Sequence, residues 1–282
     1  MCRFTFYVGE PIQLSALVTE PTHSLINQSF AARKREEPLN GDGFGVAWYV
    51  PDVAPEPGRL RAVTPAWNNA NLQELARVVT SPCVLAHVRA ATQQLGVSEL
   101  NCHPFTAGRW SFMHNGDIGG FGRIRRGLLA ELSDGRFALI QGSTDAEHFF
   151  ARLLDELDQE AEPDDVESMA RAFQRSIERT RSLVAKYAPG EYLYINAVLS
   201  NGKAAVACRY TTDDPSEASS LYMNQGKRYV CEDGVCRMLD AEHSGSVIVS
   251  SEPLSEDPGW SAFTPNSMAL ISTNRVRRSL SL

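Results

Sequence analysis

The sequence opens with MCRFTFYVG, residues 1–9, in which a cysteine stands directly ahead of a run with strand character. Cysteine usually packs as a small hydrophobic residue, and its placement is more often decided by reactivity than by packing. Residues 3–8 are rich in aromatic and β-branched side chains, which favours a β-strand. These nine residues therefore predict a strand that begins beside a potentially reactive side chain, Cys2.

The composition is that of an ordinary globular protein. The chain has 282 residues, of which 43% are hydrophobic and 22% charged, so it can bury a substantial core. Its formal net charge of −7 arises without any block of like charges. This balance argues against nucleic acid and anionic membranes as partners and favours small solutes. Because no apolar run approaches the roughly 20 residues of a membrane span, we expect a cytoplasmic protein.

The spacing of apolar residues predicts a mixed α and β fold. Strands are predicted at 3–8, 44–50, 60–64, 83–90 and 109–114, and again at 192–199 and 204–210 around the turn sequence SNGK. Helices are predicted at 71–79, 144–157 and 166–187. Strands, then helices, then strands is the order of a layered α+β fold, with residues 158–167 as its linker-like stretch.

The six cysteines do not indicate a disulfide framework. A chain of this length needs no cross-links, and a reducing compartment keeps thiols free, so we expect free cysteines. CEDGVC, residues 231–236, predicts a hairpin in which two cysteines face each other. His87, His103 and His114 fit no metal-ligand spacing, so we expect neither a metal nor another cofactor.

Two motifs lie in the first strand block. NGDGFG, residues 40–45, leads into a strand, whereas a dinucleotide fingerprint leads into a helix. Its plain interpretation is a glycine-rich turn. In AHVRAAT, residues 86–92, strand alternation places His87 and Arg89 on one face. Either this is an edge strand with Arg89 in solvent, or the Arg89 guanidinium points at a carboxylate in a cleft.

Two further motifs flank the predicted helices. Asn115 and Gly116, in FMHNGDIGGF, form either a tight hairpin turn or an oxyanion hole made of a side-chain amide and a backbone N–H. In GSTDAEHFF, residues 142–150, Thr144 and Glu147 form a capping box at a helix start. Asp145 then either complements the helix dipole or binds a ligand.

The position of Cys2 has a chemical explanation if the initiator methionine is removed. Its own α-amine then serves as general base, since the unperturbed pKa values of amine and thiol are about 7.7 and about 8.5. No separate histidine is required, because the chain terminus takes that part in the N-terminal variant of triad chemistry. Residue 2 is where such a nucleophile must lie.

Taken in order, the motifs resemble those of the class II glutamine amidotransferases, a family of N-terminal nucleophile hydrolases. The resemblance rests on Met1-Cys2-Arg3, NGDGFG, AHVRAAT, HNG and STDAE. More narrowly, PTHSLINQSF, TPAWNNANL, NCHPF, QGSTDAE, SSEPL and TPNS are similar to the stand-alone amidotransferase-like subunit of the fungal glutathione-degradation complex and its bacterial relatives. The resemblance implies one domain over residues 1–282, built as a four-layer αββα sandwich of two antiparallel sheets.

The resemblance also implies a role for each motif residue. Its catalytic residues are the nucleophile Cys2 and the oxyanion-hole residues Asn115 and Gly116. Its substrate-binding residues are Arg89 for an α-carboxylate, Asp145 for an α-ammonium group, and Thr92 in the pocket wall.

One position departs from the pattern. Many synthase-fused relatives carry an arginine three residues before the aspartate of NGDGFG, and this chain has Leu39 there. We therefore expect Asn40, the first residue of this motif, or another group to support Cys2. Asp42 of the same motif is a further candidate for this supporting role.

The implied reaction is hydrolysis of a γ-glutamyl amide through a γ-glutamyl thioester on Cys2. Glutamine, glutathione and a precursor of ergothioneine all carry the required glutamyl head, and the sequence leaves the choice open. Two alternatives also stay open. The chain is either a glutaminase subunit that delivers ammonia to a separate synthase, or a catalytically silent binding subunit. The partners expected are a small γ-glutamyl substrate and, in a complex, a peptidase or synthase subunit.

Overall fold

Two antiparallel sheets stack face to face in the computed structural model. It describes residues 2–34, 38–90, 97–232, 234–240, 242, 245–272 and 275–282, and for residues 275 and 277–280 the backbone alone. Every strand pairing within these ranges is antiparallel. The strands are numbered below in chain order.

The larger sheet carries the N-terminal strand at its centre. Its members are β1 (Arg3–Gln13), β2 (Phe44–Trp48), β3 (Gly58–Ala62), β4 (Thr80–Val88), β9 (Tyr222–Gly226), β12 (Ser246–Ser250) and β13 (Ser261–Ala262). Across the sheet, the described strands follow the order β13-β9-β12-β1-β4-β2-β3. The start of β1 therefore lies beside the end of β4, where Arg3 pairs with Val88.

The smaller sheet lies opposite. It is formed by β5 (Phe105–Ala107), β6 (Trp110–Ile118), β7 (Leu193–Ser200), β8 (Ala204–Thr211), β14 (Ser267–Ser272) and β15 (Arg275–Ser281), in the order β15-β14-β8-β7-β6-β5. A separate hairpin pairs β10 (Arg228–Glu232) with β11 (Val235–Leu239). Because β5 is short, the second half of β6 has a described neighbour on one side only, β7.

Helices cover the outer faces of both sheets. The larger sheet is covered by α1 (Ser15–Val18), α2 (Leu25–Ala31) and α3 (Ala70–Val78), and the smaller by α4 (Phe121–Ala130), α6 (Asp145–Leu157) and α7 (Val166–Tyr187), with α5 (Asp134–Phe137) against α6. The result is the four-layer αββα sandwich that the family resemblance implies.

Alternation along β1 sorts its side chains between two cores. Phe4 and Phe6 lie between the sheets, where they pack with Leu85 of β4 and Met113 of β6. Tyr7 points to the other side, into the core beneath α1 to α3. Because successive side chains of a strand alternate, Cys2 continues the row that faces the space between the sheets.

The hairpin of β10 and β11 corrects the expectation of free cysteines. Cys231 and Cys236 lie directly opposite each other in the register and form a disulfide, with their Cα atoms 4.0 Å apart. The Cβ atoms of directly opposed residues in an antiparallel pair are close enough for the two cysteine sulfur atoms to bond to each other. The hairpin itself was predicted from CEDGVC, but Asp233 in its turn is outside the described residues.

Candidate active site

Cys2 lies just before the start of β1, beside the end of β4. Its Sγ is 3.4 Å from the backbone nitrogen of Ala90 and 3.6 Å from the Ala90 carbonyl oxygen. Ala90 follows β4, so the thiol sits at the end of the strand that carries AHVRAAT. The residue as a whole is half-buried.

Arg89 is held inside the fold, so the interpretation of AHVRAAT as an edge strand is wrong. Its strand β4 is central, between β1 and β2. The Arg89 backbone N–H donates to the Gly43 carbonyl at 2.8 Å, and its carbonyl accepts from Asp42 at 3.0 Å. The side chain is 4% exposed, and its Nη1 has no hydrogen-bond partner within the described residues. A buried guanidinium nitrogen without a partner can bind an anionic group that enters the cleft.

Asn115 and Gly116 lie within β6, so the hairpin-turn interpretation is wrong as well. They pair with Asn196 and Ile195 of β7. Both side-chain polar atoms of Asn115 are buried and have no partner in the described part of the chain. Gly116 is required by close packing, since a Cβ there would lie 1.7 Å from the Tyr194 carbonyl oxygen.

Backbone groups of β6 face a gap where β5 has ended. The Gly119 N–H donates to the Tyr192 carbonyl, and because hydrogen-bonded positions alternate along an antiparallel pair, even-numbered residues of β6 point away from β7. The groups beyond the last pairing with β5 include the His114 carbonyl, the Gly116 N–H and the Ile118 N–H. The Gly116 N–H is thus directed into the gap beside the Asn115 amide.

The Ile118 N–H is occupied by Asp145. It donates to Oδ2 at 2.9 Å, while the Ala146 N–H donates to Oδ1 at 2.9 Å, which fixes the carboxylate at the end of β6. The predicted cap is present in part: the Thr144 hydroxyl accepts from the Glu147 N–H at 3.2 Å, but the Glu147 carboxylate binds two backbone N–H groups of residues 141 and 142. Asp145 is half-buried and keeps lone pairs for a further donor.

Charged side chains of opposite sign lie at the ends of β4 and β6. Arg89 is the cation on β4, and Asp145 is an anion at the start of α6. Asp117, two residues after Asn115, adds a second carboxylate on the same side. Although Asp117 is an exposed residue, partial loss of surrounding water raises the pKa of its carboxyl, and the negative charge of Asp145 raises it further. This arrangement suits a zwitterionic amino acid head.

Two of the expected supporting and pocket residues lie in the described structure, and one does not. Asn40 is fully buried and its Nδ2 donates to the carbonyls of Gln28 and Pro38 at 3.2 and 3.3 Å, so it anchors the glycine motif to α2. The backbone N–H of Asp42 donates to the Arg89 carbonyl, which extends the pairing of the two segments beyond the strand ends. Their support of Cys2 remains a prediction. Thr92 lies outside the described residues, and so its expected place in the pocket wall is also a prediction.

An ion pair that sequence analysis missed holds the backbone of Cys2. Arg3 Nη1 donates to the Cys2 carbonyl at 2.8 Å, and Arg3 Nε donates to Glu252 at 2.8 Å. Glu252 also accepts from His23 at 2.7 Å and from the backbone N–H groups of Arg33 and Lys34 at 2.8 and 3.0 Å. Both charged side chains are buried. An arginine within a predicted strand of otherwise apolar character was the available signal, because a buried charged group needs a partner.

This network predicts loss of stability in acid. Burial alone raises the pKa of Glu252, but the donors from His23, Arg33 and Lys34 and the charge of Arg3 outweigh it and bring the pKa to about 2, against 4.5 ordinarily. A depressed folded-state pKa contributes stability above pH 4.5 that is lost as the pH falls toward 2, here on the order of 3 kcal/mol. Urea titrations from pH 7 to 2 should show this slope in the wild type.

Matched variants test that assignment. Glu252→Gln should be less stable at pH 7, because Arg3 is left buried without a counter-charge, and should lose the extra acid slope. Glu74→Gln, which removes an exposed carboxylate paired with Arg77, should keep the wild-type slope. An unchanged slope in Glu252→Gln would contradict the pKa assignment.

The other free cysteines are poorly suited to nucleophilic chemistry. Cys83, Cys102 and Cys208 are buried, and burial raises the pKa of each thiol, for Cys83 to about 12. A thiol that stays protonated is a weak nucleophile. Within the described ranges no cluster of three metal-ligating side chains occurs, and no helix there is long and apolar enough to cross a membrane.

Comparison with known proteins decides the family. The profile described as "Glutamine amidotransferases class-II" matches residues 13–281. A yeast protein named "Probable glutamine amidotransferase DUG3" (Saccharomyces cerevisiae) is 40% identical over 98% of this chain and 83% of its own length. The chain belongs to the class II glutamine amidotransferases. The resemblance seen in the sequence motifs is thereby confirmed.

Two further relatives extend over nearly the whole amidotransferase chain. The "Gamma-glutamyl-hercynylcysteine sulfoxide hydrolase" of Mycolicibacterium smegmatis is 27% identical over 93% of this chain and 91% of its own. A solved structure of a class-II domain protein from Silicibacter pomeroyi, titled a glutamine aminotransferase, is 30% identical, covers 99% of both chains and has a TM-score of 0.68. This amidotransferase thus shares its fold along the full length of that structure.

Proposed function

We propose that this amidotransferase hydrolyses the γ-glutamyl amide bond of a small molecule through a thioester on Cys2. One observation carries the proposal. Cys2 and Arg89 lie beside the end of β4, with a half-buried thiol on Cys2, while Arg89 Nη1 and the Asn115 amide on β6 are buried with no hydrogen-bond partner among the described residues. The names of the yeast and mycobacterial relatives support the same substrate class.

Recognition of the glutamyl head follows from the charges. We assign the α-carboxylate to Arg89, whose Nη1 has no partner among the described residues and can donate to it, and the α-ammonium group to Asp145, with Asp117 beside it. A ligand must present both charges to satisfy both sides of the gap, which selects amino acid heads over simple amides.

The chemistry begins after removal of Met1. The neutral α-amine of Cys2 takes the thiol proton, and the thiolate attacks the γ-carbonyl carbon. The Asn115 amide and the Gly116 N–H stabilise the oxyanion. The protonated amine then donates its proton to the departing nitrogen as the C–N bond breaks. Water, deprotonated by the same amine, attacks the thioester and releases glutamate and the Cys2 thiol.

Mass spectrometry of the intact protein tests this mechanism. Protein incubated with glutathione, glutamine or a γ-glutamyl-hercynylcysteine sulfoxide and quenched in acid should lack Met1 and carry one glutamyl group on the peptide that contains Cys2. Cys102→Ala, a buried thiol close to the same end, should label like the wild type. Hydrolysis without a glutamyl group on Cys2, or with Met1 retained, would contradict the proposal.

The same experiment ranks the leaving groups. Fastest labelling by glutathione would indicate a peptidase as partner, because the second product is a dipeptide. Fastest labelling by glutamine, with turnover raised by a synthase chain, would indicate ammonia delivery instead. No labelling by any γ-glutamyl compound would favour a silent binding subunit.

A further inference from the structure

A buried histidine joins the two sheets directly beneath the candidate site. His87 of β4 lies on the inner face, two residues before Arg89, and is fully buried. Its Nε2 is 3.2 Å from the His114 carbonyl oxygen of β6. Since a carbonyl can only accept, His87 Nε2 carries the proton and donates.

Among the described residues, the His114 carbonyl has no strand partner on the β5 side of β6. It points into the gap beyond the end of β5, together with the Gly116 N–H. The neighbouring strand β5 begins at Phe105, which pairs with Phe112, so its pairing does not extend to His114. His87 supplies the missing donor, so the peptide that links His114 to Asn115 is held in one orientation. From the other side, His114 Nε2 lies 3.1 Å from the Tyr194 carbonyl and ties the same residue to β7.

The surroundings of His87 keep this donor in place. Its ring stacks on His103, with 4.2 Å between centroids. Burial lowers the pKa of His87 to about 3, and the nearby Arg89 charge also lowers it, so the ring stays neutral. Its Nδ1 has no partner within the described residues, which leaves the contact to His114 as its single described hydrogen bond.

We propose that His87 is a positioning residue for the oxyanion hole, because it fixes the backbone that presents the Asn115 amide and the Gly116 N–H. The inference rests on the proposed function for the oxyanion-hole roles of those two residues. His87 itself touches no reacting atom. Its effect should therefore fall on the acylation rate, while the glutamyl head continues to bind through Arg89 and Asp145.

Three variants separate positioning from packing. His87→Leu removes the donor, His87→Gln keeps an N–H of similar reach, and His103→Phe keeps the stacked ring without its unpartnered nitrogens. We expect kcat to fall about 10- to 100-fold in His87→Leu with KM within about threefold, because small displacements of stabilising donors cost about that much. His87→Gln should recover most of the loss, and His103→Phe should stay near wild type.

Two measurements keep the test independent of the overall activity. The affinity of glutamine for a Cys2→Ala protein should not change when His87→Leu is added. Hydrogen exchange of the backbone at residues 114–117 should become faster in His87→Leu than in His103→Phe. Equal losses in kcat and glutamine affinity, or no rescue by Gln, would overturn the inference. If the wild type hydrolyses no γ-glutamyl amide, the proposed function fails, and unchanged exchange at 114–117 would then overturn the positioning role separately.

Discussion

Replacing Cys2 with alanine is expected to lower kcat for γ-glutamyl hydrolysis by at least about 10³-fold, because removal of a covalent nucleophile leaves only binding and oxyanion stabilisation. The fold should persist, since the half-buried Cys2 side chain is not a member of the apolar cores of the described residues. Cys2→Ser should also retain little activity, because a hydroxyl is hard to deprotonate with so weak a base as the α-amine.

Kinetics and melting temperature measured on the same preparations check this expectation. Each variant must first be shown by mass spectrometry to have lost Met1, so that residue 2 is N-terminal. Cys102→Ala is the matched control, because it removes a buried thiol whose pKa is raised by burial. Unchanged turnover in a processed Cys2→Ala protein would exclude the thioester mechanism.

Local sequence signals sufficed for the long elements of this fold. The helix predicted at 166–187 is α7, Val166–Tyr187, with Asp165 as its N-cap, and the helix predicted at 144–157 is α6 with Thr144 as N-cap. The seven predicted strands correspond to β1 to β4 and β6 to β8, but β1 extends to Gln13 and β6 to Ile118. No bounds were predicted for β5 or, apart from the hairpin at 231–236, for the strands after Thr211. Side-chain periodicity and capping are properties of neighbouring residues, and a single sequence displays them directly.

Asn115 and Gly116 show where local signals fail. The dipeptide favours a hairpin turn, but in this chain the pairing of β6 with β7 overrides that preference. Gly116 is present because of the Tyr194 carbonyl, a contact 78 positions along the chain that no local pattern contains. The interpretation of Asn115 and Gly116 as an oxyanion hole depended on the presence of the other motifs in the same sequence.

Pairs made by folding were the least predictable part of the site. Arg3 and Glu252 are 249 positions apart, and His87 and His114 come from different sheets. The sequence around each of these residues contains no signal that identifies its partner. The Cys231–Cys236 disulfide was missed for another reason: the expected compartment was given more weight than a register that set the two sulfur atoms opposite each other.

The second large effect is expected at Arg89. Arg89→Ala should lower kcat/KM for γ-glutamyl substrates, which corresponds to a rise of about 2 to 5 kcal/mol in the activation free energy, because removing one partner of a desolvated charge pair typically costs that much. Thioester formation should survive at saturating substrate. Arg89→Lys should recover little, since an ammonium group cannot reproduce the planar fork that binds a carboxylate.

A cycle of enzyme and substrate truncations shows whether the lost contact is the α-carboxylate. A γ-amide substrate without that carboxylate should cost the wild type about as much as Arg89→Ala does, and the two losses should not add, because both delete one contact. Arg209→Ala is the matched control: that arginine also faces the space between the sheets, but its guanidinium donates to the carbonyls of Ala218, Ser219 and Phe263. Its effect on kcat/KM should be the same for both substrates. Fully additive losses for Arg89 would show that its buried guanidinium only stabilises β4, and the assignment of the carboxylate site would be wrong.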